Sequence, residues 1–223
     1  KAGVRPWAVW QVVDVRTLLA YEFENDMHFT ACFLIERKTG NPEAHGGRLK
    51  HTIWPHLKRL GLDVRCASLV FDIDDADAHK NKTPASDAWR ANMLDLVSKM
   101  KASAPELAQG MGWYMTRGGI RLLWLLEPWL DVPDFLGLYR EVWSELQSHD
   151  IHADRLLDWG RIYRLPKVVR EGKLLDLPMY LTGLGPMTWS PLGGIERAEI
   201  NKFSGSIVQT PDEKRWTSGL AAN

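Results

Sequence analysis

Apolar residues along this chain recur at two spacings, which predict a mixed α+β fold. The segment "ASLVFDID" is an apolar run that ends in carboxylates, and it predicts a buried β-strand from Ala67 to Ile73. The segment "GWYMTRGGIRLLWLL" holds two β-rich runs about a Gly-Gly pair, which predicts a hairpin. Shorter runs predict strands in "PWAVWQVVDV", "HFTACFLIE", "RIYRLP" and "LPMYLTG".

Two segments carry apolar residues at helical spacing. The first follows Thr83-Pro84, a helix start signal. The second enters through "DVP", and a shorter helix is predicted around Trp54 to Leu60. The apolar positions are Trp89, Met93, Leu96, Val97 and Met100 in the first helix, and Phe135, Leu138, Val142 and Leu146 in the second.

From Ala67 onward the predicted order is strand, helix, strand, strand, helix, strand. This βαββαβ order is typical of ferredoxin-like sheets, which RNA-recognition domains also use. We therefore expect an RRM-like module over residues 67–205, packed with a smaller N-terminal α/β module over residues 1–66. Residues 206–223 are polar or small and predict a tail or linker. Because the chain opens without Met, we expect a domain excised from a longer protein.

Composition narrows the function classes without choosing among them. The chain has 223 residues, 45% apolar and 25% charged, which is ordinary for a soluble globular protein. The net charge is zero, so local patches must meet any polyanion. Cys32 and Cys66 lack metal-ligand spacing and predict reduced core residues of an intracellular protein rather than a disulfide. No apolar run predicts a membrane span, and no signal peptide is visible.

Candidate chemistry begins at Asp72-Ile73-Asp74, where the predicted strand ends. On a strand, Asp72 and Asp74 point to the same face, where their charges repel. A divalent metal removes that repulsion, and hard cations prefer oxygen ligands. The alternative is that Asp74, Asp75 and Asp77 begin a solvated loop.

The hairpin carries the second candidate group. Gly118 and Gly119 predict a tight turn whose backbone can come close to a ligand. Arg121 lies in a strand that is apolar on both faces, so it needs an anionic partner or a route to water. The alternative is that it pairs with a structural carboxylate, Asp72 or Asp74.

A basic run after Asp154 is the third candidate group. Guanidinium groups bind phosphate oxygens bidentately, so this run suits a triphosphate or a nucleic-acid backbone. Arg161 and Arg164 fall on opposite faces of an extended strand, so a bulge or turn is needed to aim both at one ligand. The alternative is a solvated basic loop with Asp154 and Asp158 as turn residues. The run holds Arg161, Arg164, Lys167, Arg170 and Lys173 against Glu171 alone.

Together these groups resemble the archaeo-eukaryotic primase superfamily, in particular the primase-polymerases of phages, plasmids and mobile elements. Its Asp-x-Asp motif matches Asp72 and Asp74. Its third motif, an Asp followed by "R-x-x-R-L-P", matches Asp154 with the strand that begins at Arg161. Its second motif is usually Ser-x-His in a Gly-containing hairpin; here Arg121 stands in the place of the histidine, and Thr116 is the nearest hydroxyl.

The resemblance implies a template-dependent DNA primase-polymerase that uses (d)NTPs, a single-stranded DNA template and a primer. It implies a cytoplasmic protein in a bacterial, phage or plasmid context, with a fused or associated helicase as a possible partner. Two Mg²⁺ or Mn²⁺ ions would be held by Asp72, Asp74 and Asp154. The nucleotide would be bound by Thr116, Gly118, Gly119, Arg121, Arg161, Arg164 and Lys167. Template contact is assigned to Arg48, Lys50, Arg117 and Arg170.

Two other classes of protein fit the same residues. One is a catalytically inactive nucleic-acid-binding or replication-initiation domain of the same fold, which has no need of three converging carboxylates. The other is a different palm-like enzyme, such as a nucleotide cyclase or a metal nuclease. The "RIYRLP" segment favours the primase over these enzymes.

Overall fold

The structure is a computed structural model that describes residues 22–43, 49–155 and 158–189. All of these lie within one compact unit that ends at Trp189. Three predicted features lie outside the described residues: the strand in "PWAVWQVVDV", the residue Arg48 and the tail over 206–223. None of the helices in the described ranges has the length and apolar content that a membrane crossing requires.

The described residues form ten strands, five α-helices and one 3-10 turn. The strands are β1 (His28–Thr30), β2 (Cys32–Glu36), β3 (Pro42–Glu43), β4 (Leu62–Asp74), β5 (Gly112–Met115), β6 (Gly119–Leu130), β7 (Ile162–Arg164), β8 (Val169–Arg170), β9 (Lys173–Leu174) and β10 (Met179–Tyr180). The helices are α1 (Trp54–Arg59), α2 (Ala76–Asn81), α3 (Asp87–Ser103), α4 (Pro105–Ala108) and α5 (Val132–Ser148), and the 3-10 turn is His51–Ile53.

The main sheet is antiparallel, with the strand order β10-β5-β6-β4-β2-β3. This confirms the α+β class, the hairpin (β5–β6) and the two long helices (α3 and α5). β4 is longer than predicted, because it begins at Leu62 instead of Ala67. The expected boundary between residues 66 and 67 falls inside this strand, at the irregularity between Cys66 and Ser68; the division into two modules stays a prediction.

The last strand of the predicted βαββαβ order lies in a different sheet. β7 pairs with β1 in a separate antiparallel two-stranded sheet, and β2 occupies the edge of β4. Near the carboxyl end of β4, the segment that holds Asp154 contacts the strand: the Asp72 carbonyl accepts a hydrogen bond from the Asp154 N–H at 2.9 Å. The Asp72 carbonyl, which a further strand at this edge would need, is therefore already paired, and a ferredoxin-like arrangement is not confirmed.

The predicted strand "HFTACFLIE" is two strands, because the chain changes sheets at Ala31. The Ala31 carbonyl accepts a hydrogen bond from the Ala67 N–H, in the irregular part of β4. β2 continues along β4, whereas β1 turns away to pair with β7. Cys32 and Cys66 lie opposite each other across β2 and β4, where both are buried thiols rather than a disulfide. Burial raises the pKa of the Cys66 thiol well above its ordinary value.

The main sheet is covered differently on its two faces. The period-2 alternation of β4 sends Leu69, Phe71 and Ile73 into the larger core, which also holds buried residues of α3 and α5. Val70 belongs to a second cluster, with Phe29 of β1 and Tyr163 of β7. Because Asp72 and Asp74 follow Val70 at intervals of two, they lie on the face that the small β1–β7 sheet covers.

Candidate active site

Asp72 and Arg121 form a buried ion pair at the centre of the candidate site. They are register partners on β4 and β6, and the two carboxylate oxygens accept from Nε and Nη2 of Arg121 at 3.1 Å each. Their side chains are 4% and 13% exposed. Arg121 Nη1 also donates to the Tyr114 hydroxyl at 3.3 Å and to the Arg164 carbonyl at 2.8 Å. The sequence left open whether Arg121 pairs with a structural carboxylate, and in the structure it pairs with Asp72.

These surroundings stabilise the protonated form of Arg121. Burial lowers the pKa of Arg121, but the Tyr114 phenol and the Asp72 carboxylate outweigh that effect, and the pKa lies above its ordinary value. The guanidinium also lies over the Tyr163 ring, 5.5 Å from its centroid. All three nitrogens of Arg121 donate to protein groups. Arg121 is thus a fixed structural cation.

Helix α5 and strand β4 together place the third predicted carboxylate beside the first. The Asp154 N–H donates to the Asp72 carbonyl at 2.9 Å, and the Asp154 carbonyl accepts from the Tyr139 hydroxyl at 3.0 Å. One residue earlier, the Ala153 carbonyl accepts from Nε1 of Trp143 at 2.9 Å. The backbone that carries Asp154 is therefore fixed on both sides, while its carboxylate stays half-exposed.

The surroundings of Asp74 disfavour its charged form. Burial, and after it the neighbouring Asp72 and Asp154 carboxylates, raises the pKa of the Asp74 carboxyl above its ordinary value. The opposing influence comes mainly from His79, whose Nδ1 lies 3.4 Å from Asp74 Oδ2. The three predicted metal ligands are thus close enough to repel one another.

We expect Asp74→Asn to stabilise the protein when no divalent metal is present. A carboxyl with a raised pKa binds its proton more tightly in the folded state, so its charged form opposes folding above that pKa. The penalty disappears as the pH falls below the ordinary value of 3.8. Thermal unfolding in a chelator at pH 7.5 should show Tm higher by about 1–3 °C, and the gain should vanish near pH 3.5. The control is Asp95→Asn on α3; an unchanged or lower Tm for Asp74→Asn would contradict the repulsion.

Arg161 bridges two of the three carboxylates. Its Nη2 lies 3.2 Å from Asp72 Oδ2, and its Nη1 lies 3.7 Å from Asp154 Oδ2. Its side chain is 28% exposed, twice as much as that of Arg121. Asp72 Oδ2 therefore accepts hydrogen bonds from two guanidinium groups.

The three carboxylates fit a divalent cation by their chemistry. Mg²⁺ and Mn²⁺ prefer carboxylate oxygens, and the Asp72 and Asp154 carboxylates contribute, after burial, to the raised pKa of Asp74. Their present arrangement is not a coordination sphere: within the described ranges, no group of three or more His, Cys, Asp or Glu side chains is placed to hold a metal ion. The reason is visible at Asp72, since both of its oxygens face guanidinium groups.

The glycine turn approaches the protein backbone rather than an open space. A Cβ at Gly119 would overlap the Ile73 carbonyl oxygen and lie 2.8 Å from Asp74 Cα. Thr116 Oγ1 accepts from the Gly119 N–H at 2.9 Å, which places the predicted hydroxyl inside the turn. Arg90 of α3 donates to the Thr116 carbonyl at 3.0 Å and to the next carbonyl at 3.1 Å. Gly119 thus lets β6 pack closely against the carboxyl end of β4.

The other predicted basic residues divide between a cleft and the small sheet. Arg164 pairs with Asp26 through Nε and Nη2 at 2.6 and 3.0 Å, and Lys167 pairs with Glu22 at 3.2 Å. Arg161 and Arg164 therefore face different acids, as their opposite orientation on a strand predicts. Lys50 is exposed ahead of the 3-10 turn.

A narrow cleft of about 30 Å³ collects four arginines from both predicted binding groups. Glu171 lies 3.5 Å from Nη1 of Arg117 and 3.7 Å from Nε of Arg170, so a carboxylate already bridges two of them. The residues that line the cleft include Thr116, Arg117, Arg121, Arg164 and Arg170. Residues assigned from the sequence to nucleotide and to template thus share one cleft.

Comparison of this chain with protein-family models, curated proteins and solved structures finds no match.

Sequence reasoning missed the acids and rings that surround the basic residues. Glu22 and Asp26 belong to "EFEND", where acids recur at intervals of two, as they would on a strand facing a basic strand. His28 lies opposite Arg164; burial, with Arg164 and Arg121, lowers the pKa of its imidazole, while Asp26 opposes the shift. Tyr163 carries no sequence signal, because its role depends on a pairing with β1 that is remote in the chain.

Proposed function

We propose that this chain is a template-dependent DNA primase-polymerase domain, which transfers nucleotides from (d)NTPs to a 3′-hydroxyl on single-stranded DNA. The observation that carries the proposal is the placement of Asp74 and Asp154 beside Asp72, next to a cleft lined by arginines. A binding domain has no use for repelling carboxylates. Metal-dependent phosphoryl chemistry needs carboxylates and phosphate-binding cations side by side.

For the fold, we propose the palm of the archaeo-eukaryotic primases. The neighbours β5, β6 and β4 stand in the relative order of a ferredoxin-like sheet, with α3 and α5 on one face. β7, its fourth strand in sequence, is displaced onto the other face. The segment that holds β1 and β2 supplies the small sheet and extends the main one, which suits an N-terminal module over residues 1–66.

In this function Asp72, Asp74 and Asp154 would hold Mg²⁺ or Mn²⁺. The metal supplies charge neutralisation for the triphosphate and activation of the attacking hydroxyl. Arg117, Arg164 and Arg170 line the cleft, and phosphate oxygens would bind their guanidinium groups in place of Glu171 and Asp26, the carboxylates that they contact now. Arg121 has a different role: its bidentate pairing orients the buried Asp72 carboxylate.

A catalytically inactive nucleic-acid-binding domain is the second candidate. The observation that favours it is the pairing of both Asp72 oxygens with guanidinium groups. In either case we propose a cytoplasmic protein from a bacterial, phage or plasmid context, with a fused or associated helicase as partner.

Nucleotide incorporation on primed and unprimed single-stranded templates, with Mg²⁺ or Mn²⁺, tests the proposal. The informative variant is Asp74→Asn, because no arginine of the described residues pairs with Asp74 and its loss should not unfold the protein. We expect its incorporation to fall at least about tenfold, a change in activation free energy of about 1.4 kcal/mol. Asp95→Asn, the same chemical change on α3, should keep full activity.

Product on the unprimed template would add primer synthesis to polymerisation. Wild-type protein that binds single-stranded DNA but incorporates no nucleotide with either metal would overturn the enzyme and favour the binding domain. An active Asp74→Asn variant would separate the activity from the carboxylate site.

A further inference from the structure

The two arginines that contact Asp72 are held in very different ways. Arg121 is buried and also donates to Tyr114 and to the Arg164 carbonyl. Arg161 is more exposed, and its ion contacts are the two described carboxylates, Asp72 at 3.2 Å and Asp154 at 3.7 Å. Its guanidinium thus lies between two of the proposed metal ligands.

We propose that Arg161 is a displaceable counter-ion: it neutralises Asp72 and Asp154 in the metal-free protein and leaves when a divalent cation binds there. The inference rests on the proposed function, because it takes these carboxylates as the metal ligands. It adds a role that the resemblance does not supply, since the resemblance places Arg161 on the nucleotide.

The contacts of Asp72 allow this exchange without disturbing the core. Arg121 binds both oxygens of Asp72, whereas Arg161 binds Oδ2 alone. Withdrawal of Arg161 leaves the Asp72–Arg121 pair intact and frees one electron-pair direction of Oδ2. The same withdrawal releases Oδ2 of Asp154, which has the longer contact. Two ligand oxygens become available through the movement of one side chain.

Electrostatics make Arg161 and a divalent cation compete for the carboxylates and favour the cation. Arg161 and a divalent cation would compete for the same electron-pair direction of Asp72 Oδ2 and for Asp154 Oδ2, and their charges repel at that separation. The cation carries the higher charge and binds Asp74 as well, where the repulsion among the carboxylates is relieved. The guanidinium that leaves is a bidentate phosphate binder. Cation binding therefore prepares a phosphate contact, so the two ligands favour each other.

Manganese affinity, measured by the EPR signal of free Mn²⁺ in titrations of the purified chain, tests the proposal. We expect Arg161→Gln to lower the Kd for Mn²⁺ at least about fivefold relative to wild type, because the competing cation is gone. The matched control is Arg164→Gln. It removes the same charge three residues later in the sequence, where Asp26 holds the Arg164 guanidinium. Its Kd should stay within about twofold of wild type. Far-UV circular dichroism establishes that each variant is folded.

The outcomes separate this inference from the proposed function. Wild type that binds Mn²⁺ with an affinity that Arg161→Gln leaves unchanged or weakens would overturn the inference and keep the metal site. An equal gain in Arg161→Gln and Arg164→Gln would also overturn it, as a general charge effect. Failure of wild type and both variants to bind Mn²⁺ would overturn the metal site itself.

A second measurement decides the matter if Arg161→Gln does not fold. Modification by an arginine-selective dicarbonyl reagent, located by peptide mass spectrometry, reports on the freedom of each guanidinium in the wild-type chain. Mn²⁺ should increase modification of Arg161 at least about twofold and leave the buried Arg121 unmodified. Protection of Arg161 by Mn²⁺, or no change, would contradict displacement.

Discussion

Arg121→Met should destabilise the protein by about 3–5 kcal/mol, because it leaves the buried Asp72 carboxylate without its bidentate partner. The Tyr114 hydroxyl and the Arg164 carbonyl lose a donor in the same change. Urea unfolding in a chelator measures the effect through the midpoint and the slope. Arg164→Met is the matched control: it also breaks a bidentate arginine–aspartate pair, but on the surface, and should cost about 1 kcal/mol or less.

A double-mutant cycle tests whether the loss comes from the pair itself. Asp72→Asn and Arg121→Met in combination should be less destabilising than the sum of the single changes, by about 1–3 kcal/mol. The reason is that each single change leaves one buried charge poorly compensated, whereas the double change removes both charges. Additive effects, or equal losses in Arg121→Met and Arg164→Met, would show that the ion pair does not hold this part of the sheet.

Gly119→Ala should destabilise the protein by about 3 kcal/mol or more, the upper end of overpacking effects. The new methyl group would overlap the Ile73 carbonyl oxygen, and a backbone atom inside a sheet cannot rotate away as a side chain can. Thermal and urea unfolding measure the loss. Gly118→Ala is a control from the adjacent residue: its Cβ would meet Asp74 Oδ1 at an ordinary 3.5 Å.

Gly118→Ala should therefore stay within about 1 kcal/mol of wild type. A similarly small cost for Gly119→Ala would mean that β4 and β6 can separate at this point without loss. A large cost for both variants would point to the flexibility of the turn instead of the contact with Ile73.

Periodic patterns were sufficient for the elements whose partners are near in the chain. The hairpin of β5 and β6, the helices α3 and α5 and the strand through Asp72 all follow from local spacing. Pairings that are remote in sequence were not predictable in this way. β1 is too short to carry a period of its own, and its partner β7 lies more than a hundred residues later. The ferredoxin-like expectation fell short at that pairing.

In the candidate site, too, features set by local spacing were predictable, whereas contacts between remote residues were not. The spacing of Asp72 and Asp74 predicted their common face, because a strand fixes it. The partners of the arginines depend on tertiary contacts: Arg121 was left with two possible acids, and its pairing with Asp72 is set by the β4–β6 register. The approach of the glycine turn to a ligand stays a prediction, whereas the close contact of Gly119 with Ile73 is one that no local pattern reveals.

The pairing of β1 with β7 has a practical consequence for dissecting this protein into fragments. Hydrogen bonds from Phe23 to the Lys167 carbonyl, and from Leu165 to the Met27 carbonyl, extend the ladder beyond the two strands themselves. A fragment cut at residue 67 would split β4 and leave the basic strand with an unpaired edge. A fragment that retains the carboxylates and their covering sheet therefore has to start no later than Glu22. Truncation past Glu22 is expected to expose the edge of β7 before it removes any of the described helices.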